Sequence, residues 1–156
     1  MDDGIFDQQH AVNYDEFSQG NPAMLDTMVG VLAELAGDGR ALEFASGTGR
    51  VALPLRAAGV DVHGIELSRP MHAQQRKKVG GDQVPVTIGD MTTTRVAGSF
   101  ALVFLVYNTI GNVLTQAGQV ACFRNAAAHL EPGGHFVIEM LIPPLIRLAP
   151  GERHVV

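Results

Sequence analysis

From residue 21 onward, short apolar runs alternate with longer stretches in which apolar residues return every three or four positions. The runs predict strands at Ala41–Phe44, Val60–Glu66, Val84–Ile88, Phe100–Tyr107 and His135–Met140. The stretches predict helices. The first takes Asn21 as N-cap and Pro22 as its first residue, carries Met24, Leu25, Met28, Leu32 and Leu35 on one stripe, and stops at Gly37. Others span about Arg50–Ala58, Arg69–Val79 and Gln116–Leu130, with Ser68 and Thr115 as caps and Pro132-Gly133-Gly134 as a stop. This alternation predicts an α/β fold: a doubly wound, mostly parallel sheet with helices on both faces. The run Phe100–Tyr107 is apolar on both of its alternating faces, as a central strand covered on each side must be.

Residues 1–20 lack this periodicity and carry Asp2, Asp3, Asp7, Asp15 and Glu16, which predicts a loose N-terminal arm anchored at Phe6, Tyr14 and Phe17. One domain over residues 21–156 follows. A chain of 156 residues, 46% hydrophobic and 17% charged, is of a size and composition to bury one core. Its net charge of −5, with positive residues clustered only at Arg76-Lys77-Lys78, argues against a nucleic-acid partner. No apolar run approaches the ~20 residues a membrane-spanning helix needs. The acidic start Met1-Asp2-Asp3-Gly4 is unlike a secretory signal, and Cys122, the sole cysteine, allows no internal disulfide. The expected compartment is the reducing cytoplasm.

The first strand runs directly into Glu43-Phe44-Ala45-Ser46-Gly47-Thr48-Gly49-Arg50 and then into a helix, so a tight small-residue turn stands at the carboxyl end of a strand, where doubly wound sheets bind ligands. Glu66 ends the second strand and Gly89-Asp90-Met91 follows the third. In this constellation the chain resembles the class I S-adenosylmethionine-dependent methyltransferases, whose Glu/Asp-x-Gly-x-Gly-x-Gly loop is matched by Glu43, Ala45, Gly47 and Gly49, with alanine in place of the first glycine. The resemblance spans about residues 38–142, through Asn108 after the fourth strand and Leu130, Pro132, Gly133 and Gly134 before the fifth. It implies a Rossmann-like core that binds S-adenosyl-L-methionine. Gly47 and Gly49 would admit the methionine part, with slight crowding from Ala45; Glu66 would accept hydrogen bonds from the ribose hydroxyls; Asp90 would face the adenine amino group and Met91 would contact the ring. Ser46 and Leu67, beside these residues, complete the expected cofactor set. Asn108 would meet the cofactor's ammonium or orient a substrate, or else serve as a turn residue, and Tyr14 would close over the cofactor or pack on the first helix.

A rival reading stays open on the same residues. Gly47-Thr48-Gly49-Arg50-Val51-Ala52 also satisfies G-x-G-x-x-G/A, and Glu66 lies near the spacing of about 20 residues expected for the ribose-binding acid of a nicotinamide dinucleotide site. Charge weighs against it, because Glu43, Glu66 and Asp90 suit a cationic sulfonium better than a pyrophosphate. The Asn-Pro-Pro-Tyr type motif of nucleic-acid amino methyltransferases is absent at Asn108–Gly111. The expected acceptor is therefore an O or N nucleophile on a small molecule. No histidine has a companion at metal-ligand spacing; His63 and His135 read as structural, His10 and His72 as candidate bases, and Cys122 as a small core residue.

The family's sheet has seven strands, and this sequence supplies five, with Leu141-Ile142-Pro143-Pro144 and Pro150–Val156 after the last. An uncovered fifth-strand edge would invite pairing with another copy of the chain. Two further expectations follow: a homo-oligomer formed through that edge, or a shortened, non-catalytic module that binds cofactor or a partner without turnover.

Overall fold

The computed structural model describes residues 7–17 and 21–141. Helix α1 (Gln8–Phe17) is followed by α2 (Pro22–Ala36), β1 (Arg40–Phe44), α3 (Ala52–Ala57), β2 (Asp61–Glu66), α4 (Arg69–Lys77), β3 (Val86–Ile88), β4 (Phe100–Leu105), α5 (Gln116–His129) and β5 (Leu130–Ile138). Single 3₁₀ turns at Gly81–Gln83 and Thr109–Asn112 precede β3 and α5. The five strands pair in parallel in the order β3-β2-β1-β4-β5. The order reverses between β1 and β4, so the crevice at the carboxyl ends of these two strands is the topological switch point where such sheets bind ligands.

Strand alternation builds one core on each face. Along β4, Leu102 and Phe104 join Val29, Leu32 and Leu55 under α2 and α3, while Val103 and Leu105 join Phe44, Cys122 and Ala126 under α5. Apart from half-buried Ala101, both faces of this strand are buried, which explains its unbroken apolar run. The Cys122 thiol is buried, and desolvation pushes its pKa up to about 11.

Several boundaries differ from expectation for identifiable reasons. On α2 the core-facing residues are Val29, Leu32 and Ala36, with Leu25 and Met28 partly buried, whereas Met24 is exposed. The covered stripe is thus rotated by about one residue. The apolar run of β4 ends at Leu105 because Tyr107 and Asn108 both turn into the left-handed region, at φ 61° and 54°. Pro132-Gly133-Gly134 is no stop ahead of the last strand; β5 starts at Leu130 and carries these residues through a register shift against β4, where Phe100 pairs Leu130 but Leu102 pairs His135. Residues 8–17 form α1 rather than a loose arm. Its polar sequence hid it: among the described side chains of this helix Ala11 is the buried one, and Asp15 ties the helix to Thr48 and Lys78 by a hydrogen bond and an ion pair. Phe6, the Phe17 side chain and residues 142–156 lie outside the described residues. Among those described, β5 has β4 as its strand neighbour.

His129, at the end of α5, is a buried neutral imidazole. Its Nε2 accepts from the Val96 N–H at 3.0 Å, so Nδ1 carries the proton and donates to the Asn125 carbonyl at 2.8 Å. Phe44 and Phe100 pack edge-on against the ring. Burial holds its pKa below the usual value of 6.5. A histidine depressed in the folded state binds its proton more readily when unfolded, so its contribution to stability is present above about pH 6.5 and fades as pH falls through the folded value. We expect the thermal midpoint of the wild-type chain to drop between pH 7.5 and 5, and the drop to shrink in His129→Asn, as followed by circular dichroism.

Candidate functional site

The carboxyl ends of β1, β2 and β4 meet around the small-residue loop 45–50. Ala45 leaves β1 at φ 53°, and Gly47 and Gly49 follow at 56° and 76°. The position where the resembled family has glycine is therefore a left-handed one, and the cost of Ala45 there is conformational, roughly 1 kcal/mol. At Gly49 a side chain is also excluded by space: a Cβ would stand 2.8 Å from Gln75 Cγ and 2.9 Å from Leu53 Cγ. Ser46 donates its N–H to the Ile65 carbonyl, tying the loop to β2, and its side chain lies over Gly64, where any Cβ would displace it.

Glu66 holds this loop in place. Its side chain is 6% exposed; Oε2 accepts from the Gly47 N–H at 2.7 Å and Oε1 from the Ser68 N–H at 2.7 Å. Burial raises its pKa, against the opposing pull of the backbone N–H groups of Ser68, Gly47 and Leu67. A carboxylate has about four lone-pair sites. Each oxygen therefore keeps capacity for one more donor, as a ribose diol would require. Glu43 is 3% exposed, and burial pushes its carboxyl well above the usual range, helped by the charge of Glu66 and opposed by the Ala52 N–H. Its Oε2 has no hydrogen-bond partner in the protein, nor has the buried Ser46 hydroxyl.

The other predicted residues divide. Asp90 caps its own turn, Oδ1 accepting from the Thr92 N–H at 2.8 Å and the Thr92 hydroxyl at 2.7 Å. Met91 packs on the core under α5, and its carbonyl accepts from Asn125 Nδ2. Asn108 begins the 3₁₀ turn after β4 in left-handed conformation, and its Oδ1 accepts from the Leu141 N–H at 3.4 Å. Tyr14, on α1, lies near enough to Arg50 to act on its charge.

Four residues that the sequence reading passed over are drawn to the same place. Arg50 lies with its guanidinium 3.1 Å from the centre of the Tyr107 ring, and Glu139, Asp15 and Glu43 all act on its charge. Thr48 donates its hydroxyl to Asp15 Oδ1 at 2.6 Å, and Lys78 pairs with Asp15 Oδ2 at 2.6 Å, so α1 is strapped to the loop and to the end of α4. Glu139, at the end of β5, accepts the Tyr107 N–H on Oε2 at 2.8 Å. A cleft of about 450 Å³ opens beside this group, between α1, α2 and α3, with Asp15, Leu25, Arg50, Lys78 and Tyr107 in its walls. Of the predicted cofactor residues, Gly49 is the one that lines it. Among the described residues no group of His, Cys, Asp and Glu could hold a metal ion.

Residues 41–134 match the model of the methyltransferase domain family. The chain belongs to that family. It is 28% identical to the cypemycin N-terminal methyltransferase of a Streptomyces species, over 97% of this chain and 62% of that protein. The CcbJ methyltransferase of Streptomyces caelestis superimposes with a TM-score of 0.80 at 36% identity, over 90% of this chain and 59% of that one. The structure of CalS10 with S-adenosylmethionine bound, an amino pentose methyltransferase from Micromonospora echinaspora, matches with a TM-score of 0.71 at 26% identity, over 85% of this chain and 57% of that one. The chain thus spans about three fifths of the length of the relatives it matches. As a methyltransferase-family member it sets the dinucleotide reading aside.

The clamp on the loop has a direct consequence for stability. Glu66→Ala leaves two backbone N–H groups at a buried site without their acceptor, and we expect a loss of about 3 kcal/mol in urea unfolding. Glu66→Gln, which keeps one carbonyl acceptor, should lose less.

Proposed function

We propose that this chain binds S-adenosyl-L-methionine at the switch point of its sheet and transfers the methyl group to a nitrogen or oxygen of a small molecule. The observation that carries the reading is the Glu66 carboxylate, fixed by two backbone N–H groups beside a left-handed glycine loop and still able to accept two hydroxyl donors. The remaining groups fit the two ends of the cofactor. A methionine tail is a zwitterion and needs both signs nearby: Arg50 offers a planar fork suited to a carboxylate, and the unpartnered Glu43 Oε2 offers an acceptor for the ammonium. Asp90, with Oδ1 committed to Thr92, would meet the adenine amino group through Oδ2, while Met91 flanks the ring.

When bound, the cofactor supplies a methyl carbon on a sulfonium, open to in-line attack by a lone pair. The protein's own part is to hold, orient and exclude water. Asn108 and Tyr107, exposed at the end of β4, would orient an acceptor, and α1 would cover the loop through Asp15. An amine acceptor is supported by relatives named for N-methylation, a cypemycin N-terminus and an amino sugar of Streptomyces venezuelae. The net charge of −5 supports a small molecule over a nucleic acid. No helix among the described residues is long and apolar enough to cross a membrane, and a single thiol supports a reducing compartment such as the cytoplasm.

Calorimetric titration with S-adenosylhomocysteine and, separately, NADH tests the reading. We expect micromolar binding of the first alone, weakened about tenfold or more in Glu66→Gln through loss of a charged acceptor. Preferential binding of NADH, or of neither ligand, would refute it.

A further inference from the structure

The turn after β4 holds two successive non-glycine residues, Tyr107 and Asn108, in left-handed conformation. Such residues persist only where surrounding bonds over-determine them. Here the bonds come from one residue at the end of β5. The Glu139 N–H donates to the Leu105 carbonyl at 3.0 Å, and its carbonyl accepts from the Asn108 N–H at 3.2 Å. Any residue could make these two, because they continue the β4–β5 ladder. The third bond, from the Tyr107 N–H to Glu139 Oε2 at 2.8 Å, needs an acceptor side chain of this reach.

What that bond positions is the Tyr107 ring, and the ring lies against Arg50. An arginine stacked on an aromatic face loses rotational freedom, so the direction of its fork is held. Glu139 therefore acts on Arg50 twice: through the ring that Tyr107 presents, and through its own charge nearby.

We infer that Glu139 is a positioning residue for Arg50, holding the Tyr107–Asn108 turn so that the stacked guanidinium is aimed at the carboxylate of the cofactor's amino-acid tail. This rests on the cofactor reading above and adds a residue from the carboxyl end of β5, beside β4.

The test uses two ligands that differ in that tail: S-adenosylhomocysteine, and 5′-methylthioadenosine, the same nucleoside thioether without the amino-acid group. Each is titrated calorimetrically into wild type, Arg50→Gln, Glu139→Ala and Glu139→Gln. We expect Arg50→Gln and Glu139→Ala to weaken S-adenosylhomocysteine about tenfold or more, and to leave methylthioadenosine within about twofold, as loss of one charged hydrogen bond would. Glu139→Gln, which retains a carbonyl acceptor for the Tyr107 N–H, should recover most of the loss. Equal weakening of both ligands in Glu139→Ala means a general structural role and overturns the inference. So does unchanged or tighter S-adenosylhomocysteine binding, which would make Glu139 a competitor for Arg50. If wild type binds neither ligand, the cofactor reading itself fails. If only Arg50→Gln separates the ligands, that reading stands and the role of Glu139 falls.

Discussion

A single buried carboxylate ties together the parts on which this site depends. Glu66 ends β2, yet its two oxygens reach back to the loop after β1 and forward to the cap of α4. Without it only the Ser46 and Thr48 hydrogen bonds would support the left-handed backbone of the loop from outside, and the Ser68 N–H at the head of α4 would lose its acceptor. A carboxylate this deeply buried is stable only because it is paired with oriented donors, here the backbone N–H groups of Gly47 and Ser68. The neighbouring Glu43, with fewer donors, keeps its proton to higher pH. Two acids of one type are thus separated in behaviour by how deeply each is buried and by the backbone groups that face it.

Around this clamp the charges are arranged as neighbours of opposite sign. Arg50 and Lys78 stand with Asp15 and Glu139 in and beside one cleft, and Asp15 serves both Lys78 and the Thr48 hydroxyl. Such mixed surroundings favour a zwitterion over a plain anion or cation, because either end of it finds a partner without leaving a like charge close by. Helix α1 takes part through its polar face, which makes it an extension of the site more than of the core.

The sheet, its parallel order and the glycine loop were legible because each leaves a periodic or compositional trace: the two-faced burial of β4 shows as an unbroken apolar run, and the strand-end acid Glu66 breaks one. The same trace is present at β5, where Glu139 follows an apolar strand. Arg50 also carried a signal, since a cation just ahead of a helix opposes the helix dipole and calls for a local reason. Helix α1 had no such trace. It is held by Asp15 contacts with residues 33 and 63 positions further on, which no local pattern encodes. The displaced stripe on α2 and the bulge through Pro132-Gly133-Gly134 depend likewise on what packs opposite them.

The placement of Cys122 carries a chemical corollary. Thiol oxidation and alkylation proceed through the thiolate, and a sulfur sealed beneath α5 with its proton held to about pH 11 presents almost none. With no other cysteine in the sequence, the chain has no readily oxidised thiol through which peroxide or a disulfide exchange partner could act on it. Any thiol placed on its surface by substitution would react against a silent background, so distances between the strapped helix α1 and the strand ends can be read with a probe attached at one chosen position.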